Sequence, residues 1–133
     1  MEPEALSELA AGAARDKKAE GVMLLDLREL TIMCDYFLIC TARNTQHVKA
    51  VVEGVQERLE DAGRRARHIE GKSNARWVLM DYGDVIVHVF LPEERAFYDL
   101  ERLWADARLT ELAAVVEQAR GVQHVDARTD ASL

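Results

Sequence analysis

From Arg76 to Leu91 two apolar, β-branched-rich runs flank a short polar connection, Asp81-Tyr82-Gly83-Asp84. Apolar runs around an Asp/Gly break predict a β-hairpin. With Tyr82-Gly83 as a two-residue loop, Asp81 opposes Asp84, Leu79 opposes Ile86 and Trp77 opposes His88. Strand alternation then gathers Trp77, Leu79, Ile86, His88 and Phe90 on one face. The second strand is apolar at nearly every position, so it is expected at the centre of a sheet covered on both sides. The first carries a large aromatic, is bounded by charge and belongs nearer the rim. Pro92 has no N–H to donate and ends the pairing.

The same reading extends along the chain. Leu6, Leu9, Ala10, Ala13 and Ala14 predict a helix over 4–20, stopped at Gly21. Residues 22–27 and 36–41 are short, buried strands. Asn44 or Thr45 caps a second helix to about Ala62, with a core stripe of Val48, Val51, Val52, Val55, Leu59 and Ala62. Gly54 within it costs about 1 kcal/mol relative to alanine and points to a close backbone approach. A short strand over 66–69 and a loop over 71–74 lead into the hairpin. A third helix spans 93–106, with acids in its first turn, where the macrodipole favours them. Its stripe is Phe97, Leu100, Leu103 and Trp104; Tyr98, about 100° away, points outward beside Glu94, Glu101 and Arg102. Residues 110–120 are amphipathic and predict a fourth helix, and 122–133 a frayed tail. The order α-β-β-α-β-β-β-α is an α/β fold, a mixed sheet flanked by helices. Residues 1–106 form its domain, and 107–133 a C-terminal extension that is helical only in part.

Composition fits one soluble domain: 133 residues, 49% hydrophobic and 31% charged. The net charge of −7 argues against a nucleic-acid backbone as main partner and for solubility or a basic partner. Cys34 and Cys40 form no CxxC pair, so a reducing cytoplasm is expected. No apolar leader and no run of about 18–20 apolar residues is present, so no membrane partner is expected.

Candidate chemistry is sparse. Asp26, Asp81 and Asp84 lie at strand ends, where a metal-dependent nucleotidyltransferase places its carboxylates. Asp81 and Asp84 bracket a turn, however, and no phosphate loop precedes them, so turn formation is the better reading. His47, His68, His88 and His124 show no metal-ligand spacing. His88 reads as a hydrogen-bonded histidine of the core or rim. Gly71-Lys72-Ser73 lacks the upstream glycine of a phosphate loop. One basic segment, Arg64 to Arg76, carries Arg64, Arg65, Arg67, His68, Lys72 and Arg76 against Glu70 alone. It reads as a solvated loop, with an RNA-binding module as the rival. Aromatics are only 6% of the chain, yet Trp77, Tyr82, Phe90, Phe97, Tyr98 and Trp104 concentrate in the hairpin and third helix. They read either as the core of this corner or, with Tyr98 and Trp77 among acids, as a protein-binding hot spot.

These residues also carry a family likeness. Asp26-Leu27, Cys34-Asp35-Tyr36-Phe37-Leu38-Ile39, Gln46-His47-Val48, Glu70-Gly71, the run from Arg76 to Tyr82, Asp84-Val85-Ile86-Val87-His88 and Phe97-Tyr98-Leu100-Glu101-Leu103-Trp104 resemble the ribosomal silencing factor (RsfS or Iojap-like) family. The likeness runs from about residue 4 to 106. Ala42-Arg43 and Cys34 depart from it near the start of the second helix. The resemblance implies a nucleotidyltransferase-like fold without the catalytic site, no cofactor and no enzyme activity. It implies binding to the large ribosomal subunit through a conserved protein at the subunit-joining face. That binding blocks the small subunit and represses translation when nutrients are scarce. Trp77, Asp81 and Tyr98, with Leu79, Leu100 and Glu101, would form the contact surface. A peripheral rRNA contact by the basic loop and a homodimer are further expectations from the same source.

Overall fold

The computed structural model describes residues 1–31 and 33–119. The expected tail over 122–133 lies outside them. Ten elements follow in order: α1 Pro3–Asp16, β1 Glu20–Asp26, β2 Tyr36–Thr41, α2 Thr45–Asp61, β3 His68–Glu70, β4 Trp77–Asp81, β5 Val85–Phe90, α3 Pro92–Tyr98, α4 Leu100–Ala105 and α5 Leu109–Ala119. One five-stranded sheet has the order β1-β2-β5-β4-β3. Only β2 and β5 are parallel, with α2 in the connection between them. This is a mixed α/β fold with helices on the sheet.

The all-apolar β5 lies at the sheet's centre, every residue buried. Alternation divides its side chains between two cores. Val85, Val87 and Val89 join Leu38, Cys40, Val78 and Met80 under α1 and α2. Ile86 and Phe90 join Phe37, Ile39 and Leu79 beneath Leu100 of α4 and Leu112 of α5. Four small residues of α1, Ala10, Ala11, Ala13 and Ala14, are buried where it meets the first core. Burial also pushes the Cys40 thiol up to about 12.

The hairpin keeps its faces but not its register. Trp77 pairs with Phe90, Leu79 with His88 and Asp81 with Ile86. Tyr82 N–H donates to Val85 O, so Gly83-Asp84 form the tip rather than Tyr82-Gly83. Each partner moves by two residues, and a shift of two leaves every side chain on its expected face. Gly83 takes φ +93°, and its N–H is held by Asp81 Oδ1 at 2.8 Å.

Helix one ends at Asp16, four residues early, because Lys18 (φ +68°) supplies the left-handed turn expected at Gly21. Gly21 lies instead in β1, at its irregularity between Glu20 and Met23. His47 locks this turn to the next helix. Its Nε2–H donates to Lys17 O at 2.8 Å, and its Nδ1 accepts from Arg43 N–H at 2.9 Å. Asn44 caps α2 by accepting from His47 N–H. Ala62 is exposed rather than part of the core stripe, and what lies against Gly54 is the Lys17 side chain rather than the expected backbone. The short third strand is His68–Glu70, shifted from 66–69, since it is set by pairing with Asp81, Met80 and Leu79.

The largest departure is in the third helix, which Asp99 breaks by adopting φ +47°, ψ +55°. Two long-range ties hold the halves in place. Arg95 Nη1 donates to Gly21 O at 2.7 Å and Thr41 Oγ1 at 2.8 Å, and Trp104 Nε1 donates to Asp26 O at 2.9 Å. These bonds occupy two carbonyls of the edge strand β1, which blunts it as a template for pairing.

Helix α4 closes with Ala107 at φ +54°, its N–H bonded to Trp104 O and that of Arg108 to Leu103 O. This is the Schellman geometry that favours glycine at the left-handed position. Ala107→Gly should therefore stabilise the fold by about 0.5–1 kcal/mol, after the glycine's extra unfolded entropy. Calorimetry should show a melting temperature raised by about 2–4 °C. An unchanged or lower value would contradict the cap.

Candidate functional site

Three elements build an aromatic corner. β4 delivers Trp77 at its first position, β5 delivers His88 and Phe90, and the end of α3 delivers Phe97 and Tyr98. The Trp77 ring lies 4.9 Å from Phe90 and 4.4 Å from Tyr98, centroid to centroid. Such pairs are worth roughly 0.5–1.5 kcal/mol each beyond the area they bury. The Trp77 indole N–H donates to His88 Nδ1 at 3.1 Å. An accepting Nδ1 places a neutral imidazole's proton on Nε2. Phe37 meets the same imidazole edge-on at 4.6 Å. Trp77 is thus half-buried and fixed in orientation. His88 is the hydrogen-bonded core histidine the sequence suggests, although its cross-strand partner is Leu79.

The break at Asp99 reverses the expected roles of two neighbours. Helical phase does not carry through a left-handed residue, so Phe97 and Trp104 do not share one stripe. Tyr98 turns in against Trp77 and Phe90 and is half-buried, whereas Phe97 is 80% exposed. The two rings meet edge to face at 5.0 Å. Phe97 is the surface residue that sequence reasoning assigned to the core. The available signal was Asp99, because aspartate tolerates the left-handed region better than most residues.

The six expected contact residues do not share one surface. Leu79 and Leu100 are 0% and 1% exposed, so that expectation is corrected for them. Leu79 sits mid-sheet opposite His88, and Leu100 turns onto the same face as the first residue of α4; both support the corner from beneath. Asp81 is at the other end of β4 from Trp77, roughly 13 Å away at about 3.3 Å per residue. Its carboxylate caps the Gly83 turn. Glu101 accepts from Arg95 Nε at 2.9 Å and Nη2 at 2.7 Å. It forms part of the clamp that fixes α3 and α4 to the sheet edge. Trp77 and Tyr98 are brought together, with Phe97 added.

The rim is acidic. Glu94 accepts from Arg76 Nε at 2.5 Å and Glu93 from Arg76 Nη2 at 3.3 Å, while the Glu93 side chain remains 85% exposed. One guanidinium therefore serves two carboxylates. Elsewhere the basic segment is engaged within the molecule at two positions. Arg64 bonds Tyr82 O and Asp84 Oδ1, and His68 contacts Glu70. Arg65, Arg67 and Lys72 are exposed.

The strand-end carboxylates each have a local role. Asp26 is gripped by Arg28 through its backbone N–H and guanidinium, and that side-chain bond holds its carboxyl below the usual range. Asp84 pairs with Arg64, and Asp81 caps its turn, in keeping with the turn-forming reading. Among the described residues no three His, Cys, Asp or Glu side chains are grouped to hold a metal, and no helix is long and apolar enough to cross a membrane.

A family model described as "Ribosomal silencing factor during starvation" matches residues 1–132. Ribosomal silencing factor RsfS of Bacillus subtilis (strain 168) is 40% identical over 112 residues, which span 84% of this chain and 95% of that protein. A crystal structure of a protein from Chromobacterium violaceum aligns with a TM-score of 0.77 and 39% identity, over 79% of this chain and 88% of that one. A mouse protein named mitochondrial assembly of ribosomal large subunit protein 1 is 28% identical over 114 residues, or 80% of this chain and 50% of that protein.

Proposed function

The chain belongs to the ribosomal silencing factor family, and from that premise we propose that it binds the large ribosomal subunit and sterically blocks joining with the small one. The observation that carries this reading is the fixed aromatic corner. An 80%-exposed Phe97 meets Tyr98 edge to face, and Tyr98 packs in turn on Trp77, which is held by its ring contacts and its bond to His88. Large aromatics already immobilised lose little side-chain entropy on binding, which suits them to anchor an interface. Acids around them favour a basic ribosomal protein and speed encounter with it. The mouse relative's name, which refers to the ribosomal large subunit, supports the same partner. No bond is made or broken, and inhibition comes from the domain's bulk at the joining face.

The contact surface in this reading is Trp77, Tyr98 and Phe97, bordered by Glu101 and Glu93, with Asp81 an outlying contact. A homodimer that used the same ridge would compete with the ribosome. A peripheral rRNA contact would fall to Arg65, Arg67 and Lys72, which are exposed where their neighbours are paired.

Gradient sedimentation with purified subunits tests the proposal. The chain should comigrate with the large subunit only. Phe97→Ala should weaken that binding at least about tenfold, the size of a modest hot spot, with melting unchanged. Comigration with neither subunit, or undiminished binding by Phe97→Ala, would refute the assignment.

A further inference from the structure

Where the end of α4 meets the segment after β1, an open groove of about 530 Å³ is lined by Asp26, Glu29, Leu30, Trp104, Ala105 and Ala107. Trp104 is half-buried, and its one donor is spent on Asp26 O. With that donor occupied, what the indole has left to offer a ligand is its aromatic ring, tethered by this bond. Leu30 and the two alanines add apolar wall. The charges at the mouth differ in availability. Both Asp26 oxygens are taken by Arg28, so that pair is locally neutral. Glu29 is exposed and has no ion pair or hydrogen bond to any described residue.

An aromatic face, an apolar wall and one uncommitted carboxylate match a lysine or arginine side chain. Its aliphatic stem would lie along Leu30, and its cation over the indole and toward Glu29. We propose that this groove is a second anchoring site, taking a basic side chain from an extended segment of the ribosomal protein whose main contact is the Phe97–Tyr98 ridge. The inference rests on the proposed function for the partner's identity, but the groove's chemistry does not. An RNA phosphate is disfavoured, because the uncommitted Glu29 carboxylate would repel it.

Two measurements separate the groove from the function. Nuclear magnetic resonance titration of the full chain with a short arginine-rich peptide should shift the Trp104 indole N–H signal. Glu29→Lys should weaken that binding about tenfold, and Glu29→Gln about threefold, with the differences shrinking as salt rises. Glu29 is exposed, so both variants should fold normally. In sedimentation, Glu29→Lys should also lower affinity for the large subunit. A Trp104 signal that ignores the peptide, or responds instead to an RNA oligonucleotide, overturns the groove assignment whatever the ribosome result. Peptide binding without comigration of the unmodified chain overturns the ribosomal function, and this occupant with it.

Discussion

Gly71→Ala is expected to destabilise the fold by about 3 kcal/mol or more, since it makes the closest clash an added Cβ would meet among the described glycines. Gly71 follows β3 and has φ +91°; a Cβ there would lie 2.1 Å from Trp77 O and 3.2 Å from Trp77 C. Both are backbone atoms of the strand that starts the aromatic corner, so no side-chain rotation relieves the clash. Gly71 O also accepts from Ala75 N–H at 2.8 Å, and the loop it closes runs directly into Arg76 and Trp77. Two penalties combine: a left-handed backbone that resists a side chain, and a steric contact that must push β4 or β3 aside. Gly54→Ala is the control. The three atoms nearest its Cβ would be Lys17 side-chain carbons, the closest at 2.7 Å, and that flexible chain can swing away. Calorimetry should show Gly71→Ala melting roughly 10–15 °C lower. Gly54→Ala should fall far less, its loss of space offset by better helix propensity. A Gly71→Ala protein melting within a few degrees of the parent would show that the loop does not approach Trp77 as closely as described.

What the sequence disclosed and what it hid divide along the range of the forces involved. The central strand was legible because burial on both faces leaves an unbroken apolar run from Val85 to Phe90. The partition of Trp77, Leu79, Ile86 and Phe90 onto one face followed from a period of two, which survived a misplaced turn. The end of α1 at Lys18 carries no local glycine or proline, and the break at Asp99 is marked only by an aspartate, a weaker signal than either. Arg95 fixes the break by reaching Gly21, 74 residues away, and Thr41, 54 away, while clamping Glu101. The site inherited that blindness. An uninterrupted helix sends Phe97 inward and Tyr98 out; the broken one does the opposite. The resemblance implies Leu79 and Leu100 as contact residues, but Leu79 lies in a sheet covered on both faces and Leu100 is the buried residue by which α4 packs on it.

Trp77→Ala is expected to lower stability by about 3 kcal/mol, and so it cannot serve alone as a test of binding. The change removes three ring pairs, with His88, Phe90 and Tyr98, and takes away the donor at His88 Nδ1 in a residue with no exposed surface. Tyr98 would then lose the platform that holds it, and Phe97 the ring it leans on. Trp77→Phe separates the contributions. It keeps a ring against Phe90 and Tyr98 and loses only the hydrogen bond and the larger indole, so about 1–2 kcal/mol is expected. Urea denaturation should rank the proteins as parent, then Trp77→Phe, then Trp77→Ala, with Phe97→Ala indistinguishable from the parent because its ring is mostly in water. Ribosome affinity should follow a different order. Phe97→Ala should bind worse than Trp77→Phe despite being the more stable of the two. If binding instead tracks stability across the series, the corner acts only as scaffold and the anchoring surface lies elsewhere on the domain.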